Sequence, residues 1–72
     1  PRKGEHQMYQ QLIQELAPGR DARHIEAFMR LEYGTLDHLS RATFAREVRM
    51  AEACIDEGGE DMAEGLAKSY GL

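Results

Sequence analysis

The sequence predicts an all-α fold: a compact bundle of four helices over residues 5–17, 22–33, 41–57 and 60–70, with a short helical turn at 36–39. Three observations carry that expectation. Gly and Pro divide the chain at Pro18-Gly19, Gly34, Gly58-Gly59 and Gly71. Within each segment the apolar residues recur at helical spacing. Alternating runs are missing and β-branched residues are few, so nothing reads as a strand.

The first segment, Pro1-Arg2-Lys3-Gly4, is basic and broken by Pro and Gly, and reads as a flexible tail before a single domain over 5–72. In the first helix Met8, Leu12, Ile13 and Leu16 share one face, and Gln7, Gln10, Gln11 and Gln14 fill most of the remainder. Pro18-Gly19 stops it, and Asp21 is a good N-cap for the second helix. There Ala22, Ile25, Phe28 and Met29 form the apolar stripe, with Leu31 and Tyr33 off it. Glu26 and Arg30 stand in the favourable i, i+4 order. Thr35 caps the short turn, Leu36 to Leu39, and Ser40 caps the third helix, whose stripe is Phe44, Val48, Ala51 and Ile55. The last helix opens with Glu60 and Asp61, which suit the positive end of a helix dipole. Met62, Ala63, Leu66, Ala67 and Tyr70 are its expected buried face, and Glu64 with Lys68 is another i, i+4 pair.

Seventy-two residues make one domain with a thin core. A single cysteine, Cys54, excludes an intrachain disulfide and fits a reducing compartment. With no run of eighteen apolar residues and no signal-peptide pattern, the expected location is the cytoplasm, with no membrane partner. A chain this small gains stability from a partner, most simply a second copy. Net charge is −4, yet residues 20–49 carry six arginines against five acids, while from Met50 onward there are six acids and one lysine. The acidic end argues against a general polyanion-binding surface.

Chemistry-bearing residues are scattered. His6, His24, His38 and Cys54 form no motif, and no HExxH, CxxC or Glu-x-x-His spacing occurs, so no metal, cofactor or catalytic site is expected. Asp21 and His24, three apart at a helix start, read as capping and solvation. Cys54, at the edge of the third helix's stripe and near its C-terminus, reads as a buried, inert thiol. Opposite that stripe lie Ala42, Ala45, Arg46, Arg49 and Ala53, a small-residue face carrying arginines.

The stretch Ile25 to Gly34 resembles the first helix and Gly-containing loop of ubiquitin-associated (UBA-like) three-helix domains, and Ala51 to Leu66 resembles their later helices. The order Tyr33-Gly34 departs from the Gly-Tyr of that loop, and the stretch from Gly34 to Phe44 is long for it. The resemblance implies a compact helical interaction module, not ubiquitin binding.

The expected function is therefore non-enzymatic: a small helical protein-interaction module, as a homodimer or a subunit of a larger assembly. Met8, Tyr9 and Leu12 are the candidate interface residues, with Met8 and Leu12 shared between core and partner and Tyr9 at the rim. The rival reading is a small DNA-binding regulator that uses Arg41, Arg46 and Arg49 on the third helix.

Overall fold

The computed structural model describes residues 3–72. Its elements are α1 (Lys3–Leu16), α2 (Ala22–Tyr33), α3 (Arg41–Cys54), a wide π-type turn (Ile55–Gly59) and α4 (Glu60–Tyr70). The all-α expectation holds: among the described residues there is no strand. Residues 1 and 2 of the expected tail lie outside the described residues, and α1 begins within that stretch, at Lys3.

The helix count differs. No loop separates α3 from α4; Ile55–Gly59 carries one into the other, giving a single long bent stretch from Arg41 to Tyr70 and three rods rather than four. The bend sits at Gly58, whose φ of 107° is open to glycine and strained for an L side chain. Gly59 serves a different need. A Cβ there would lie 2.8 Å from the Cys54 carbonyl oxygen and 3.1 Å from Phe28 Cζ, so only glycine lets the turn close onto α2. The expected helical turn at 36–39 is a single hydrogen-bonded turn, Leu39 N–H donating to the Leu36 carbonyl at 3.3 Å, and not helix.

Two of the three predicted caps form at helix starts, those of Asp21 and Ser40; Thr35 precedes only the single turn. Asp21 accepts from the Arg23 amide at 3.0 Å, and Ser40 accepts from the Thr43 amide at 3.1 Å. These satisfy N–H groups that a helix start leaves without an intrahelical partner.

The core is built around α2, which is buried on most of its circumference. Ile13, Ile25, Met29 and Val48 are essentially inaccessible, and Leu36 and Phe44 close the layer. α2 packs most extensively on α4. Both helices bury alanines: Ala63 and Ala67 on α4, and Ala22 and Ala27 on α2. Small side chains let two helix backbones approach closely.

Along α1 and just past its end the inward positions are Tyr9, Ile13 and Ala17, which repeat every four residues. Met8 is displaced from that line and is 55% exposed. Tyr9 is thus a core residue and not the rim residue expected: its ring stacks on Phe44 with centroids 6.1 Å apart, and the Arg30 guanidinium carbon lies 5.6 Å from its centre. Met62, expected inside, is 56% exposed, because Ala63 and Ala67 define the inward line of α4.

Candidate functional site

The polar side of the core lies against α1. Glu26 is fully buried. Arg30 Nε donates to its Oε2 at 2.7 Å, Gln10 Nε2 donates to Oε1 at 3.0 Å, and His6 Nδ1 lies 2.7 Å from Oε2. Arg30 also donates through Nη1 to the Gly34 carbonyl at 3.2 Å, at the end of α2. Its Nη2 has no hydrogen-bond partner among the described residues. A buried carboxylate is tolerated only when paired and hydrogen-bonded, and this network supplies both. It ties α1 to α2 and is occupied with itself.

The far side of α2 is different. Leu31, Met50 and Met62 are 51%, 50% and 56% exposed, and all three border one groove of about 430 Å³ between α2, α3 and α4. Phe28, Met29 and Ala51 form its floor, and Cys54 lines it as an exposed thiol rather than the buried one expected. Glu32 and Glu47 stand at the groove as well. A hydrogen bond to Glu47 pushes the Glu32 carboxyl above its ordinary value, with desolvation and Glu47's charge adding to the effect. Glu47 is itself 4% exposed, with Arg46 Nε 3.7 Å from its Oε2. Desolvation first, then a hydrogen bond to Glu47, pushes the Tyr33 hydroxyl upward.

A second, smaller groove of about 310 Å³ lies between α1 and α3, bordered by Met8, Leu12, Leu39 and Arg41. All three expected interface residues border this groove; Met8 is exposed and Leu12 half-buried, while Tyr9 beneath them belongs to the core. Arg41, Arg46 and Arg49 are all exposed on α3. Arg49 donates to Glu52 at 2.7 Å, so part of its charge is already neutralised.

The start of α2 meets α4 in a third polar cluster. Glu64, expected to pair with Lys68 along α4, reaches α2 instead, with Oε1 3.0 Å from His24 Nε2 and 3.1 Å from Arg23 Nη2. These two bonds hold the Glu64 carboxyl below its ordinary value, His24 first. Partial burial raises the Asp21 carboxyl, but its Arg23 hydrogen bonds and nearby His24 outweigh that and leave it lowered. Arg20, in the α1–α2 loop, grips Asp56 with two hydrogen bonds of 2.8 Å and Glu52 with one of 3.1 Å, fastening the loop to the end of α3.

The groove residues Leu31, Met50 and Met62 were not among the candidates from sequence. The signal was present for Leu31, an apolar residue off its helix's stripe. Met50 likewise sits off the Phe44–Val48–Ala51 line. Glu47 carries no such signal, because only the neighbouring helix buries it.

What these elements define is a small all-α protein with an apolar groove and paired-off polar clusters. No protein family, curated protein or solved structure matches the chain, so the UBA-like resemblance rests on its short helix–Gly pattern alone. No helix among the described residues is long and apolar enough to cross a membrane.

Proposed function

We propose that this chain is a non-enzymatic protein-interaction module that pairs with a second copy of itself in the cytoplasm, through the groove between α2, α3 and α4. One observation carries the reading: Leu31, Met50 and Met62, three of the largest apolar side chains left half in water, converge on one groove. Methionine adapts to a partner's shape at little cost. Charge of both signs near the groove supports self-pairing: Glu32 lines it, and exposed Arg46 stands next to the lining residue Glu47, so one face offers both members of an ion pair to a second copy. An exposed thiol at the groove fits a reducing compartment.

Sedimentation across a concentration series is the test. A mass that rises toward twice the monomer, and falls back in Met50→Lys with unchanged helicity, supports the reading. A wild-type chain that stays monomeric at high micromolar concentration ends it. A DNA-binding regulator using Arg41, Arg46 and Arg49 ranks second, weakened by the Arg49–Glu52 pair and the −4 net charge. A duplex mobility shift that fades with salt would restore it.

A further inference from the structure

We propose that Asp21, His24 and Glu64 form a binding site for a divalent transition-metal ion of the zinc type, assembled when α4 docks on the start of α2. Each residue offers one donor atom, and the three atoms lie within 4.8 Å of one another. His24 Nε2 is 3.0 Å from Glu64 Oε1 and 3.5 Å from Asp21 Oδ2. A triangle with those two sides and a third of at most 4.8 Å has a point about 2.4 Å or less from all corners. Zinc–ligand distances are about 2.0–2.2 Å. A shift of a few tenths of an ångström in the Glu64 side chain closes that gap.

The donor set is one imidazole and two carboxylates, which suits zinc and its first-row neighbours better than magnesium. His24 Nε2 faces Glu64 Oε1 at hydrogen-bond distance in the metal-free chain, so the ion displaces the proton held between them on binding. Two ligands are also pre-positioned. The His24 ring is packed away from solvent, and Asp21 is fixed through its other oxygen, Oδ1, by the Arg23 amide at 3.0 Å. Asp21 and Glu64 remain partly open to solvent, which leaves a route in and coordination positions for water.

A cation already sits at this point. Nη2 of Arg23 donates to Asp21 Oδ2 at 3.0 Å and to Glu64 Oε1 at 3.1 Å, bridging the same two oxygens the ion would bridge. The Arg23 side chain is 38% exposed and swings into water when displaced. Arg23 is thus a built-in competitor, and that gives the site a signature a plain ion-pair cluster lacks: removing the arginine tightens metal binding.

The test is titration of zinc chloride into the Cys54→Ser protein, read by calorimetry and by thermal unfolding, with magnesium chloride as control. The expected result is one zinc per chain, a raised unfolding temperature and no effect of magnesium. Glu64→Gln, on a partly exposed side chain, weakens zinc binding about tenfold or more, and His24→Ala abolishes it. Arg23→Met strengthens it. Absence of zinc binding at millimolar concentration overturns the proposal, as does binding that survives both Glu64→Gln and His24→Ala. Weaker binding in Arg23→Met would show the arginine to be support and not competitor, and would overturn it too. None of these outcomes depends on whether the chain dimerises.

Discussion

The two sides of α2 invert the usual arrangement. Toward α1 the helix buries charge: Glu26 and Arg30, with His6 and Gln10 closing the network. Away from α1, toward the bend between α3 and α4, it leaves large apolar groups in water: Leu31, alongside Met50 and Met62. The first side is internally complete, since nearly every polar atom has a partner within the fold. The second is incomplete, since its apolar surface has none. Buried charge stabilises a fold only when every partner is present, and removal of one partner is then severe. Exposed apolar surface contributes nothing to the monomer until something covers it. Structural damage is therefore expected from changes on the first side and lost association from changes on the second.

Glu26→Ala breaks the complete side and has the largest expected effect. It strands Arg30 as an uncompensated buried cation, a loss of about 3–5 kcal/mol. Total stability for a chain of 72 residues is about 4–11 kcal/mol. Urea unfolding followed by circular dichroism should show a protein at or past the edge of folding. Gly59→Ala comes next, at about 1–3 kcal/mol, because its methyl collides with the Cys54 carbonyl and presses on Phe28 in the groove floor. Thermal melts should fall, and self-association with them.

Acid acts on the surface ion-pair clusters and on the groove with opposite signs. The Glu64, Asp56 and Glu52 carboxyls are held below their ordinary values by hydrogen bonds, from His24, Arg20 and Arg49 respectively. Their stabilisation is present above the ordinary carboxylate range and is lost as pH falls through the lowered values. Glu32 at the groove runs the other way. Its raised value means the folded chain binds a proton that the unfolded chain releases, so it costs stability at neutral pH. Glu32→Gln should therefore melt slightly higher than wild type at pH 7. The advantage should shrink as pH falls from the raised value toward 4.5. The smallest effect on the monomer is Met50→Lys, within about 0.5 kcal/mol of wild type in unfolding, with its whole consequence in sedimentation.

Much of this fold was legible in the sequence because it rests on local rules. Asp21 and Ser40 cap helices through their own side chains, and Gly58 bends the chain through its own φ. The i, i+4 pairing of Glu26 with Arg30 was legible too, but not its burial, which α1 imposes from sixteen and twenty residues away through Gln10 and His6. The choice of Tyr9 over Met8 as the inward residue was equally hidden. Both positions lie close to one helical face, and the ring of Phe44 decides between them. The candidate groove was missed for the same reason. Its residues come from three helices, and none is unusual on its own.

The helical segments, the caps at Asp21 and Ser40 and the stripes of α2 and α3 follow from the sequence, since hydrogen bonds and side-chain periodicity within a few residues dictate these. The tertiary structure alone decided that α3 and α4 form one bent rod and that Glu64 crosses to His24 rather than Lys68. It also decided that Leu31, Met50 and Met62 meet at the surface. Each of those outcomes depends on which helices lie side by side, a choice set by the summed packing of the whole chain and carried by no single segment.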